Sequence, residues 1–228
     1  MLNARSKSLI HLHILVFIWG FTSILGALIQ KSPFEIVWFR VVIASGFIAT
    51  YFLFYKRKLF KFPSKATPYF ILGGLLISIH WILFFHAIKI SSVSVNLYVL
   101  SSASLMTSLL EPLFYKRRIR PYEVFFGAFV VLGLSMIFKA EQDASLGIYI
   151  ALLSTLLSVL FTLLNGKLIE HYEATTISFY QLLMGSLALS IWMIFTMEIP
   201  EDFFVFENYD ALWMFLLASI CTAYAFIA

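Results

Sequence analysis

Eight runs of about 20 apolar residues take up nearly the whole chain, and no other feature restricts the fold as much. A helix rises about 1.5 Å per residue, so about 20 residues cross about 30 Å of hydrocarbon. The runs lie near 9–29, 34–55, 68–88, 92–112, 121–138, 146–166, 174–196 and 210–228. Polar or Pro-containing breaks separate them, among them Lys31-Ser32-Pro33, Lys56-Arg57-Lys58, Pro63, Pro68, Lys116 to Pro121, Glu141 to Ser145 and Glu198 to Asp202. Strands of a membrane barrel would be about half as long and would alternate in polarity. The expected fold is an all-α polytopic membrane protein.

Composition supports lipid as the solvent. Apolar residues make up 61% of the 228 and charged residues 12%, against about 45–50% and about 25% in a soluble domain. The 25 Phe, 11 Tyr and 5 Trp exclude a disordered chain. Cys221 is the single cysteine, which rules out an internal disulfide and a cysteine-based metal site.

The net charge of +4 signals topology rather than nucleic-acid binding. Of the 16 Lys and Arg, only Lys31, Lys89 and Lys139 fall in one set of loops, and Arg40 lies inside a span. The remaining twelve gather at the N-terminus and in the loops 56–67, 113–120 and 167–173. Basic loops stay cytoplasmic. The expectation is a multi-pass protein of the cell (inner or plasma) membrane with a cytoplasmic N-terminus and an outward-facing acidic loop from Glu198 to Asp210. The first run is long for a signal peptide and lacks a clear cleavage site, so it reads as a span.

The second half resembles the first at a spacing of 140–141 residues. Phe21-Thr22 matches Phe161-Thr162, Phe39-Arg40 matches Tyr180-Gln181, and Leu76 to His80 matches Leu217 to Cys221. A first unit of five spans (1–140) is odd in number, so a second copy (141–228) enters the membrane inverted. That copy holds three spans. The expectation is eight helices of a ten-helix protein, either a fragment or a truncated product.

Several motifs resemble the EamA-type transporters of the drug/metabolite transporter superfamily. They are Trp19-Gly20, Ser32-Pro33 followed by Phe39-Arg40, the pattern from Ser91-Ser92-Val93-Ser94-Val95 to Glu111-Pro112, and the Gly127 to Gly133 spacing. The resemblance implies a ten-helix inverted-repeat carrier of small metabolites, with export of amino acids, metabolites or drugs as the implied direction.

Polar residues inside spans are the candidate solute path. At 100° per residue, Trp19, Thr22 and Ser23 share a stripe of the first span. Asn96, Ser104, Thr107 and Glu111 fall on one half of the fourth, and Ser158, Thr162 and Asn165 share a stripe of the sixth. Lipid cannot satisfy such stripes, which therefore face protein or water. Taken one at a time, these residues also serve as ordinary hydrogen-bonding contacts between helices.

Arg40, about 9 Å inside its span, suits an anionic group, a carboxylate partner or a snorkelling position. His80, beside Trp81 near mid-span, is a candidate solute or proton site, or a neutral histidine bonded to a neighbouring helix. Glu111 is a candidate gate or coupling group, or a partner for the basic run after it. Trp19, Trp81 and Tyr98 could stack on a solute.

The chain has no His-Glu-x-x-His, P-loop, Gly-x-Gly-x-x-Gly or Gly-x-Ser-x-Gly motif. The expectation is a transporter of a small-molecule solute and not an enzyme, with no metal and no cofactor. The rival readings are a membrane-embedded enzyme on lipid-linked substrates, and a non-transporting subunit or sensor.

Overall fold

A computed structural model describes residues 4–55, 63–140, 142–196 and 199–227. The basic residues Lys56, Arg57, Lys58 and Lys61 lie outside these, as do Glu141, Glu198 and Ala228. Among the described residues every regular element is helical. Eight helical stretches are long and apolar enough to cross a membrane, matching the eight runs in the sequence. The first three are α1 (Ala4–Leu28), α2 (Pro33–Tyr55) and α3 (Thr67–Ile90). The fourth is split into α4 (Val93–Leu100) and α5 (Ala103–Tyr115). Then come α6 (Pro121–Ala140), α7 (Ser145–Leu168) and α8 (Ala174–Thr196). The last joins α9 (Asp210–Ala218), a π-helical segment (Ser219–Tyr224) and α10 (Ala225–Ile227).

The sequence predicts a continuous fourth span. The structure breaks it at Ser101 and Ser102. Both hydroxyls turn back onto the chain, donating to the Tyr98 and Val99 carbonyls at 2.6 Å. The Ser102 amide bonds Val99 three residues back. Serine hydroxyls offer the backbone an alternative to the helical ladder, and two in succession interrupt it. In the eighth span the Thr222 hydroxyl donates to the carbonyl of Leu217, five residues back, at 2.8 Å. That bond lies within the widened π turn, a feature often found at functional sites.

Helix α3 lies at the centre and packs on α7, α8 and α2. Its crossing with α8 is close because small residues meet there. Gly74 stands against the Gln181 carbonyl and the Gly185 amide: a Cβ added at Gly74 would come 2.5 Å from the former and 2.7 Å from the latter. Around this crossing, Phe70 stacks on Tyr180 and Phe52 packs on Phe179.

One end of the bundle is tied by polar bonds that span the sequence. Lys31 pairs with Glu35 at 3.1 Å and donates to the Asp202 carbonyl at 2.6 Å. The Gln30 amide donates to the Asp210 carboxylate, and Lys89 donates to the Ile29 carbonyl. Beneath them Trp38, Phe39, Phe203 and Phe206 form an aromatic layer, with Phe203 fully buried.

The α3–α8 crossing generates a prediction. Gly74→Val should cost at least about 1–3 kcal/mol, the usual range for overpacking, because backbone rather than a yielding side chain fills the space. Gly46→Ala, which meets nothing within 4 Å, should keep or raise stability, by up to about 0.5–1 kcal/mol, because alanine is the better helix former. Thermal unfolding of the two variants in detergent tests the contrast.

Candidate functional site

Behind the aromatic layer lies a cavity of about 270 Å³. The first span contributes Trp19 and Thr22, the second Arg40, and the third Ile77, His80, Trp81 and Phe84. Leu97 and Leu100 come from α4, next to its break. Ser158, Phe161 and Thr162 come from α7, and Phe226 from α10. Both halves of the chain therefore wall one space.

Arg40 is the charged group of this wall. It is only 2% exposed, so it does not snorkel. Its Nε donates to Thr222 Oγ1 at 2.7 Å, and its guanidinium lies over the Trp81 ring, 3.7 Å from the centroid. Trp81 and Thr222 lie 141 positions apart in the sequence, the spacing at which its two halves resemble each other. Among the described residues no Asp or Glu forms a salt bridge with it, and Nη1 is buried without a hydrogen bond. A charge at mid-membrane costs at least about 2.5–3.5 kcal/mol. A desolvated cation–π contact returns about 2 kcal/mol, and the threonine bond adds to that. The site thus carries a buried positive charge with no counter-charge of its own.

His80 is held from the opposite side. Its Nδ1 lies 2.8 Å from the Ser154 carbonyl oxygen, an acceptor only, so Nδ1 carries the proton and donates. The Ser154 hydroxyl in turn donates to the His80 carbonyl at 2.9 Å. This reciprocal pair locks α3 to α7 and fixes the ring. Among the described residues Nε2 has no hydrogen-bond partner, and the ring lines the cavity.

The structure brings together Trp19, Thr22, Arg40, His80, Trp81, Ser158 and Thr162. It places the other candidates elsewhere. Ser23 is buried and bonds the Gly20 carbonyl. Asn96 is 1% exposed, with Nδ2 unbonded, outside the cavity lining. Ser104 is exposed and bonds the Ser101 carbonyl. Thr107 is half-buried on α5, away from the cavity. Asn165 accepts a hydrogen bond from Gln181 Nε2 at 2.7 Å.

Glu111 pairs with Arg117 at 2.9 Å at the far end of α5. Arg117 also bonds Glu123, and the two carboxylates, Glu123 first, hold its guanidinium above its ordinary pKa. Among the described residues no cluster of three His, Cys, Asp or Glu stands ready for a metal.

Sequence reasoning missed Thr222 and the pairing of His80 with Ser154. Ser154 lies one helical turn before Ser158, and that spacing was its one signal. The repeat gave one signal for Thr222, since that residue occupies the position corresponding to Trp81.

Comparison with known proteins agrees with this architecture. A protein of Archaeoglobus fulgidus named as an uncharacterized transporter is 28% identical over 186 residues, covering 80% of this chain. The chain spans 66% of that relative's length. A protein of known crystal structure shares the fold with a TM-score of 0.64 at 13% identity, over 93% of this chain and 74% of its own. The model of the EamA-like transporter family matches residues 6–139, more than half of the chain. The chain belongs to the EamA-like transporter family.

Proposed function

We propose that the protein is a secondary carrier that moves a small organic solute through the Arg40–His80 cavity by alternating access. The observation that carries this reading is a cavity walled by both halves of the chain. A solute bound there would touch both units, so rocking one against the other would change its exposure from one membrane face to the other. Interrupted helices at α4–α5 and at the π segment flank the cavity, as in carriers whose sites lie at broken helices.

The pattern of helix contacts supports an inverted repeat of units 1–140 and 141–228. If the first three spans correspond to the last three, the contact of α3 with α7 maps onto that of the eighth span with α1. The contact of α3 with α8 maps onto that of the eighth span with α2. Both mapped contacts occur. Individual bonds follow the same rule. His80 bonds the Ser154 carbonyl of α7, and its counterpart Cys221 approaches the Ile18 carbonyl of α1 at 3.6 Å. Arg40 reaches the eighth span, and its counterpart Gln181 abuts α3 at Gly73.

The orientation follows from charge. The end that carries Lys31, Lys89, Asp202 and Asp210 faces outward, and the basic end and the N-terminus face the cytoplasm. In a Cys221→Ser background, a cysteine at Lys65 should react with an impermeant reagent from the cytoplasmic side only. A cysteine at Asn208 should react from the outside only. Labelling of both from one side would reject this topology.

Flux provides the functional test. In proteoliposomes screened over a metabolite panel, His80→Ala should lower the rate by at least about tenfold, a loss of about 1.4 kcal/mol. Insertion in the same membranes should be retained, with a loss of stability of about 1–3 kcal/mol because the Ser154 carbonyl loses its donor. Asn96→Ala should impair flux through helix packing rather than solute contact. Wild-type rates in His80→Ala would exclude the cavity as the path.

A further inference from the structure

We propose that the solute is a small organic anion whose carboxylate seats on Arg40, with its apolar body against Trp81 and Phe84. This deepens the transport reading and rests on it for the statement that the bound anion is cargo. Four observations carry it.

First, the guanidinium is buried, lines the cavity and forms no salt bridge with a described Asp or Glu. Second, among the described residues Nε bonds Thr222, and Nη1 is buried and unbonded. A guanidinium presents a planar fork that matches a carboxylate through two parallel N–H···O bonds. Thr222 and the Trp81 face hold that fork in place before a ligand arrives, which removes part of the ordering cost of binding.

Third, among the described residues no acidic side chain and no second Lys or Arg lines the cavity. The site therefore suits one negative charge and offers no counter-ion to a solute cation. Fourth, the remaining wall is mostly aromatic and aliphatic, with hydroxyls of Ser158 and Thr162 on the α7 side. Such a wall favours an organic body over a hydrated inorganic ion.

The test measures binding to the protein in nanodiscs in chloride-free buffer. The probes are monocarboxylates from acetate to 3-phenylpropionate, each compared with its uncharged primary amide by tryptophan fluorescence and thermal shift. At least one carboxylate with an apolar body should bind about tenfold or more tighter than its amide, since charge-assisted bonds to a fork are the stronger kind. Arg40→Gln should bring acid and amide to within about twofold of each other, and Arg40→Lys should keep part of the preference.

Equal binding of acid and amide by the wild-type protein would overturn the proposal. So would a preference that survives in Arg40→Gln, or no carboxylate binding at all. Chloride matching the carboxylate shift would overturn the organic class. If Arg40→Gln does not fold, the acid-to-amide ratio of the wild-type protein decides, and Thr222→Val, which frees the fork, should lower it.

Uptake of the tightest probe into proteoliposomes separates the two readings. Binding without flux would overturn transport and leave the anion site standing. Flux of neutral solutes without acid preference would overturn the anion site and leave the carrier.

Discussion

Hydrocarbon offers no hydrogen bonds, so a polar group in this chain must find its partner within the protein or within a wet cavity. The helices follow from that constraint, because a helix satisfies its own backbone. The hydroxyls follow as well. Thr155, Thr162, Ser178 and Ser190 each donate to a carbonyl four residues back. Such local bonds dispose of most of the polar stripe residues and leave few groups for function. The groups left over are informative for that reason. Arg40 carries a full charge, has a buried unbonded nitrogen and faces a cavity.

The spans were legible in the sequence because the thickness of hydrocarbon sets their length, and Pro, Gly and charge mark their ends. The interruptions were not. A test at 100° per residue across 92–112 assumes one continuous helix, and Ser101 and Ser102 interrupt the regular ladder there with hydroxyl bonds to their own backbone. Asn96, Ser104 and Thr107 share a face by that test, and none of the three lines the cavity, which α4 meets through Leu97 and Leu100 instead. The stripes of α1 and α7 lie on unbroken helices, and there the same test found Trp19, Thr22, Ser158 and Thr162, which do line it. Asn165 sits on the same helix as Ser158 and Thr162, but its side chain accepts a bond from Gln181 of α8 and does not line the cavity.

Arg40 and His80 were legible as residues that hydrocarbon tolerates poorly, but their partners were not. Thr222 lies 182 positions from Arg40, and Ser154 lies 74 from His80. Only the repeat carries information over such distances. It aligns Thr222 with Trp81, and the two hold the same guanidinium from corresponding places. A residue gripped by both halves responds to any movement of one against the other.

The two ends of the bundle are closed by different means. At the end proposed to face outward, Lys31, Gln30 and Lys89 bond across 60 to 180 positions of sequence, above an aromatic layer. Several of these bonds use backbone carbonyls and one well-buried carboxylate, Asp210. At the other end the described ion pairs are local, Arg117 with Glu111 of α5 and Glu123 of α6, and the longer-range contacts there are the Lys167 ammonium over the Phe114 and Tyr115 rings and the Tyr115 hydroxyl on the Leu163 carbonyl. Long-range bonds hold separate elements together, whereas local ones leave neighbouring helices free to part. Buried polar contacts are also lost at greater cost than exposed ones when a partner is removed. In the carrier proposed above, opening the acidic end would break these bonds, and the energy for that must come from contacts formed elsewhere. The cavity wall, shared by both halves and holding an unpaired cation, is the place where a solute can form such contacts.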